Sequence, residues 1–241
     1  MRIILLVIFC LCFTSSFAAD LSYEKGLEDF KKNNYKEAVQ IWKLLANEEN
    51  DSRAQASLGW IYANGQGVIQ DEIQAADWYR KAAEQGFAMA QHSLGLMYVN
   101  GQGVKQDDRQ AVEWFRKAAQ QGLAVAQNSL GYMYDIGRGV KQDFTQAFVW
   151  YHRAADQGQV DAQYNIGIMY DNGEGVERNY YKAFTWYRKA AEQGQVNAQN
   201  DLGAMYFNGR GVERNYSYAF TWYRNCLLYT SDAADDSKRV W

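Results

Sequence analysis

Few residues of this chain combine a type and a spacing that could do chemistry. The two histidines, His92 and His152, do not form an H-E-x-x-H pair, so they predict no zinc-protease site. Ser22 and Lys25 have the S-x-x-K spacing of a serine nucleophile with a lysine base, but the S-D-N and K-T-G sequences that accompany such a pair are absent. We therefore predict no catalytic residue, no cofactor and no metal site.

A Gly-x-Gly-Val sequence occurs five times, first at Gly65 to Val68. Glycine-rich loops bind phosphate where they join a strand to a helix. Here helical patterns lie on both sides, so these loops predict turns between helices. The two glycines end the first helix and permit positive φ angles.

The sequence repeats itself every 36 residues. The segment at 54–59 recurs with little change in the copies that begin at Ala54, Ala90, Ala126, Ala162 and Ala198. A fixed period of this size indicates a stacked-repeat architecture, because one such unit cannot bury its apolar face alone.

Each copy predicts two helices. In the first copy, Ala54, Leu58 and Ile61 fall on one face of a helix that runs to about residue 63. The second helix follows the N-cap residue Asp71, with Gln74 placed for a capping box, and it ends before a glycine. Gly59 and its equivalents weaken the first helix, so we expect that they permit close approach of the second.

The first 18 residues predict a secretory signal peptide. Arg2 precedes an apolar run from residue 3 to 13, and Ser16 and Ala18 satisfy the small-x-small rule for cleavage after Ala18. The apolar run is shorter than the roughly 20 residues that span a bilayer. An uncleaved anchor is the alternative. We expect a secreted or periplasmic protein with no membrane span after cleavage.

The repeat pattern stops abruptly after Arg224. Where earlier copies continue Lys-Ala-Ala, this one has Asn225, Cys226 and Leu227. The string from residue 226 resembles the translation of a transposase-type sequencing adapter, which predicts that residues 226–241 are not native and that the true chain has more repeats. A natural polar tail is the alternative.

Composition limits the partners. The net charge of −3 argues against nucleic acid, whose phosphates are bound by clustered cations. The three cysteines all lie outside the repeats, at residues 10, 12 and 226, so the repeats have neither disulfides nor thiol metal ligands.

The pattern Ala-Gln-x-x-Leu-Gly-x-x-Tyr-x-x-Gly-x-Gly-Val, then Asp, then Ala-x-x-Trp-Tyr-x-Lys-Ala-Ala-x-x-Gly, resembles the Sel1-like repeat of the tetratricopeptide superfamily. It begins at Ala54 and recurs through Trp222. The resemblance implies an all-α fold, a right-handed α/α superhelical solenoid of helical hairpins, and the role of a protein-protein interaction scaffold. A cysteine-rich secreted branch implies the alternative function of an envelope-associated, β-lactamase-like hydrolase. This chain departs from that branch because its repeats lack cysteine.

The organisation follows from the repeat boundaries. We predict a signal peptide over 1–18, a tetratricopeptide-like capping hairpin over 20–53, repeats over 54–89, 90–125, 126–161, 162–197 and 198–225, the last truncated, and the foreign tail over 226–241.

The candidate binding residues are those that vary most between copies within the first helix. They lie three and four positions apart, which puts each set on one helix face. In tetratricopeptide-like solenoids this helix lines the concave surface, so the face predicts binding of a protein or peptide. Alternatively, these positions are solvated or packed against a neighbour. The predicted residues are Trp60, His92, Leu96, Asn128, Tyr132, Asp135, Tyr164, Ile168, Asp171, Asn200 and Phe207.

Two invariant series predict structural roles. Gln55 and its four equivalents are expected to hydrogen-bond a neighbouring backbone rather than a ligand. The tryptophans that begin with Trp78 are expected to lie in the core, because alanines surround them at helical spacing.

Overall fold

The computed structural model describes residues 22–224. The predicted signal peptide and the predicted foreign tail lie outside the described residues. Within 22–224 the regular structure is entirely helical. The described helices form two compact units, one up to residue 117 and the other from residue 118, which are described separately below.

The first unit holds three hairpins, and the unit boundary falls inside the last of their helices. Its helices are α1 (Tyr23–Lys31), α2 (Tyr35–Glu48), α3 (Ser52–Asn64), α4 (Glu72–Glu84), α5 (Ala88–Asn100) and α6 (Asp108–Gln120). The second unit also holds three hairpins. Its helices are α7 (Ala124–Ile136), α8 (Phe144–Asp156), α9 (Val160–Asn172), α10 (Tyr180–Glu192), α11 (Val196–Asn208) and α12, which begins at residue 216 and continues to the last described residue, 224.

The first hairpin is held by aromatic packing. Trp42 is 2 % exposed and lies between the rings of Tyr23 and Phe30, at centroid distances of 5.8 Å from each. The turn of this hairpin falls at Asn33, whose φ is +64°. A Cβ on Gly26 would lie 2.5 Å from Trp42 Nε1, so this hairpin also packs a glycine against an aromatic ring.

The loops and caps of the repeats follow the sequence with one correction. Gly65 and Gly67 have φ of +68° and +72°, as predicted for a left-handed helix stop. Asp71 caps α4 by accepting from Gln74 N at 2.9 Å. The predicted capping box is wrong, because Asp71 N already donates to Tyr62 O, so Gln74 Nε2 instead donates to the Asp71 carboxylate at 2.8 Å.

The helical glycines confirm the predicted close approach. A Cβ added to Gly131 would lie 2.7 Å from Cδ1 of Tyr151, in the partner helix of the same hairpin. The same glycine-to-ring contact occurs in the other copies, at Gly59 with Tyr79, Gly95 with Phe115, Gly167 with Tyr187 and Gly203 with Tyr223. In each hairpin, an aromatic ring of the second helix therefore packs directly against the backbone of the first helix at a glycine.

The prediction that the tryptophans of the second helices lie in the core is confirmed in part, because only Trp150 of the five is buried and the others are half-buried against core residues. Trp150 is 9 % exposed, and Trp186 is half-buried against the core cluster of the second unit. Lys189 Nζ lies 4.0 Å from the Trp186 ring centroid and covers it on the outside, a cation–π contact that recurs in other copies. None of the helices described between residues 22 and 224 combines the length and apolar character needed to cross a bilayer.

Candidate functional site

In the first unit, the predicted binding residues Trp60 and Leu96 are exposed, at 42 % and 41 %. Trp60 packs edge-on to Phe30 at 5.5 Å, and with Leu27 and Trp42 these rings line an apolar cavity of about 180 Å³. The residues around this cavity of the first unit are therefore mainly aromatic and are uncharged.

His92 has a different environment. Its ring is half-buried beside Phe115, with the centroids 5.4 Å apart. Burial lowers the pKa of His92 from 6.5 to about 4, because the apolar surroundings penalise the charged imidazolium. At neutral pH the histidine therefore adds an uncharged polar ring to the face.

A pH-dependent stability follows from His92. As pH falls below about 6.5, His92 takes up a proton in the unfolded chain, whereas in the folded chain it stays neutral until about pH 4. The free energy of unfolding therefore decreases progressively across that window. We expect wild type to lose more unfolding free energy than His92→Asn between pH 7 and about pH 4.5 in urea titrations. Asparagine fits the position, because Asn128 occupies it in the third copy. Equal losses would contradict the effect.

In the second unit the predicted residues form a mixed aromatic and acidic face, which we call the α7–α9–α11 face. Tyr132 and Phe207 are 49 % and 52 % exposed. Asn200 is also exposed, and the half-buried members are Asn128, Asp135, Tyr164, Ile168 and Asp171.

Hydrogen bonds join these residues to partners on neighbouring helices. Tyr164 OH, on α9, donates to Asp201 Oδ2, on α11, at 3.0 Å. Asn165 Nδ2 donates to Asn128 Oδ1 at 3.2 Å, which links α9 to α7. The side chains of the α7–α9–α11 face are thus held in place from one first helix to the next.

Burial raises the pKa of Asp135 and Asp171, which belong to this face, and of Asp201, which accepts the hydrogen bond of Tyr164 on the same set of helices. Two tyrosines oppose the rise by donating hydrogen bonds, Tyr151 to Asp135 at 3.3 Å and Tyr164 to Asp201. Arg210 opposes it at Asp171 by forming an ion pair. The face therefore carries negative charge that is partly desolvated and that an additional cation would stabilise.

Sequence reasoning missed four residues of this arrangement, namely Tyr151, Asn165, Asp201 and Arg210. One signal was available for two of them. The position occupied by Asn165 and Asp201 is Ser57, Ser93 and Ser129 in the earlier copies, so it is polar throughout and changes only in the last two. The contribution of Tyr151, from a second helix, and of Arg210, from a loop, has no local signal.

The invariant glutamines make the predicted backbone hydrogen bond. Gln127 Nε2 donates to Ala119 O, eight positions earlier, at 3.1 Å, and the glutamines of the second, fourth and fifth copies make the same bond. Gln55 donates to Ala46 O, nine positions earlier. The sequence did not predict a second bond, in which Gln127 Oε1 accepts from Gln157 Nε2 at 2.8 Å. Gln127 is 5 % exposed, so its role is structural.

No three histidine, cysteine, aspartate or glutamate side chains of residues 22–224 are grouped so as to hold a metal ion. What the described faces offer is recognition, through aromatic rings, amides and carboxylates.

Comparison with known proteins gives a consistent family. The model of the Sel1 repeat matches residues 15–50, 52–87, 88–123, 124–159, 160–195 and 196–225. No match was found among the curated proteins.

Two solved structures resemble the chain over most of its length. The antigen c5321, a protective antigen of uropathogenic Escherichia coli strains with an SLR fold, is 46 % identical over 79 % of this chain, with a TM-score of 0.77. This chain spans only 41 % of c5321. A Sel1 repeat protein from Oxalobacter formigenes is 36 % identical, with coverage of 86 % of this chain and 82 % of that one and a TM-score of 0.81. The predicted fold class, an all-α solenoid of helical hairpins, is confirmed.

Proposed function

This chain belongs to the Sel1 repeat family, and we propose that it is a non-catalytic scaffold that binds a protein partner through the exposed face of its first helices. The observation that carries the proposal is the α7–α9–α11 face. Its exposed rings, Tyr132 and Phe207, lie on the same set of helices as three aspartates whose pKa values burial raises. Aromatic anchors beside polar groups are typical of protein-binding surfaces.

The charge of this face favours a partner segment that carries lysine or arginine. Arg210 provides an example from within the chain, since it pairs with Asp171 and its guanidinium lies 4.9 Å from the Tyr180 ring centroid. A partner's arginine can use the same two interactions, an ion pair and a cation–π contact. In the first unit, described by itself, the cavity beside Trp60 has room for one apolar side chain.

We place this scaffold outside the cytoplasm, as a secreted or periplasmic protein. The support is the charged start, short apolar run and small residues of the first 18 positions. A relative at 46 % identity, c5321, is a protective antigen. We further propose that the binding face is the concave one of the solenoid, as the resemblance implies.

Removing two rings from the face is expected to weaken binding. In Tyr132→Ala/Tyr164→Ala, we expect capture of labelled peptides that contain lysine and arginine to fall at least tenfold, which is about 1.4 kcal/mol. Fluorescence anisotropy measures the affinity, and a peptide pool of matched length with glutamate in place of the cations tests the charge preference. Binding of the cationic pool should weaken as salt rises.

The matched control is Tyr181→Ala. Tyr181 is 70 % exposed and lies on α10, a second helix, outside the proposed face. Circular dichroism checks that all variants keep their helical content. If the double variant binds as tightly as wild type, or if Tyr181→Ala weakens binding equally, the α7–α9–α11 face is not the site.

A further inference from the structure

The loop after α11 places an arginine of the chain against the preceding hairpin. Arg210 forms an ion pair with Asp171, near the end of α9, and its guanidinium lies 4.9 Å from the ring centroid of Tyr180, at the start of α10. We call Asp171 and Tyr180 the Asp171 subsite. This subsite shows how the fold holds a guanidinium, with a carboxylate at the end of a first helix and a ring at the start of the following second helix.

The same backbone arrangement occurs one repeat earlier. A Cβ on Gly175 would lie 2.2 Å from Phe144 O, and a Cβ on Gly211 would lie 2.2 Å from Tyr180 O. The residue before each of these glycines therefore has the same place relative to the preceding hairpin. We call the earlier arrangement the Asp135 subsite, because Asp135 and Phe144 there take the positions of the carboxylate and the ring.

An acid occupies the loop position of the Asp135 subsite. This residue is Glu174, whose equivalent one repeat later is Arg210, and the other copies have glutamine or arginine there. In the first unit the same position also contacts the start of the preceding second helix, because Gln102 Nε2 donates to Glu72 Oε1 at 3.1 Å. Contact at this place is thus usual, and a carboxylate at this place is found only in the fourth copy.

The two subsites therefore differ in charge. Burial raises the pKa of Asp171, and two arginines lower it. Burial also raises the pKa of Asp135, where the Tyr151 hydrogen bond lowers it and the Glu174 carboxylate raises it further. None of the described groups that set the pKa of Asp135 is a cation. Asp135, Glu174 and Phe144 are each half-buried, so a group from solvent can reach them.

We propose that the Asp135 subsite binds one arginine side chain of the partner, whose guanidinium bridges Asp135 and Glu174 and covers the ring of Phe144. This inference rests on the proposed function and adds to it the place and the type of the bound residue. Arg210 indicates the occupant, because the equivalent positions already bind its guanidinium. Arginine is favoured over lysine, since a planar guanidinium has five donors and can bond two carboxylates while its face lies on a ring.

Glu174→Arg tests whether the subsite can be filled from within. The new side chain should bind Asp135 as Arg210 binds Asp171, so we expect affinity for arginine-containing peptides to fall at least tenfold in fluorescence anisotropy. Arginine fits this loop position, because two other copies have it. The matched control is Glu177→Arg, an equal change of charge at an exposed residue of the same loop that does not act on Asp135. At about 0.15 M salt the control should weaken binding less than about threefold.

Arg210→Glu is the reciprocal test. It removes the internal guanidinium and places an acid beside Asp171, as at the Asp135 subsite. The probe is N-acetylarginine amide, followed by NMR at the aspartate carboxyl carbons. In wild type we expect a saturable shift at Asp135 and none at Asp171, whereas in Arg210→Glu both carboxyl carbons should respond. N-acetyllysine amide should bind at least fivefold more weakly.

The small probe separates this inference from the proposed function. A shift of Asp135 in wild type that is lost in Glu174→Arg supports the subsite, and if cationic peptides then fail to bind, only the proposed function falls. The subsite is overturned if peptide binding depends on Tyr132 and Tyr164 but Glu174→Arg weakens it no more than Glu177→Arg. Absence of any Asp135 shift with the arginine amide, or equal binding of the lysine amide, also overturns it. Circular dichroism checks that the variants remain folded.

Discussion

Gly131→Leu is expected to unfold the second unit. A Cβ at this position would lie within 2.9 Å of two carbons of the Tyr151 ring, and the leucine branch would extend further into the same space. Tyr151 is 1 % exposed and is enclosed by the core of the unit, so its ring cannot move aside. Overpacking of a rigid core costs typically about 1–3 kcal/mol for a few extra methylenes, and here the obstacle is an entire ring.

The loss should exceed the intrinsic benefit of removing a glycine from a helix, which is about 1 kcal/mol. Thermal unfolding followed by circular dichroism measures the net effect. We expect residues 118–224 of the variant to be unfolded already at growth temperature, so that they show no cooperative melting transition above it. Val125→Leu is the matched control, because Val125 lies on the same helix and is 38 % exposed. A melting temperature of Gly131→Leu within a few degrees of wild type would contradict the packing argument.

A double-mutant cycle shows whether the ring is the cause. We expect Gly131→Ala to be strongly destabilising in wild type but close to neutral, or favourable, when combined with Tyr151→Leu, because the smaller side chain leaves space for the new methyl group. Additive effects of the two substitutions would mean that the glycine is required for another reason.

The sequence predicted these elements well because the signals for them are local. Helix periodicity, the N-cap at Asp71 and the paired glycines are each encoded within a few residues, and all three are found in the structure. From the glycine inside each first helix, the sequence predicted only that the second helix of the hairpin approaches closely. The atom that the glycine approaches lies about 20 positions away, in a ring whose orientation depends on the whole hairpin.

The candidate site was less predictable for the same reason. Variation between copies located Tyr132, Tyr164 and Asp171, but their partners come from other helices and loops. Arg210 reaches Asp171 across 39 residues, and Tyr164 reaches Asp201 across 37. These sequence separations exceed one 36-residue repeat. An alignment of the copies places equivalent residues together, but it does not show which residues of different copies are in contact. The second hydrogen bond of the invariant glutamines spans 30 residues and joins a first helix to the end of the following second helix, so the local pattern did not predict it either.

The predicted capping box is not formed because the N-cap amide has another partner. The sequence arrangement of Asp71 and Gln74 is the usual one, but the bond requires that the N-cap amide be free. In every copy that amide donates to a tyrosine carbonyl of the first helix, as Asp71 N does to Tyr62 O at 3.0 Å. The N-cap amide, which would donate to the glutamine side chain in a capping box, is thus already bonded to the first helix.

The loop glycines give the second large effect, expected for Gly175→Ala. Its φ of +68° alone disfavours alanine, at a cost of about 1–2 kcal/mol. The new Cβ would also lie 2.2 Å from Phe144 O and 2.4 Å from Phe144 C. Both are backbone atoms of the preceding hairpin, so no side-chain rotation relieves the overlap, and the loop must separate from the start of α8.

Gly158→Ala isolates the strain from the overlap. Gly158 has a φ of +86°, yet a Cβ there would meet nothing within 4 Å. Both variants therefore bear the cost of a left-handed alanine, and only Gly175→Ala adds the collision. We expect urea unfolding to place Gly175→Ala at least about 2 kcal/mol below Gly158→Ala. Equal stabilities of the two variants would mean that the Gly175 loop does not pack against the backbone at the start of α8.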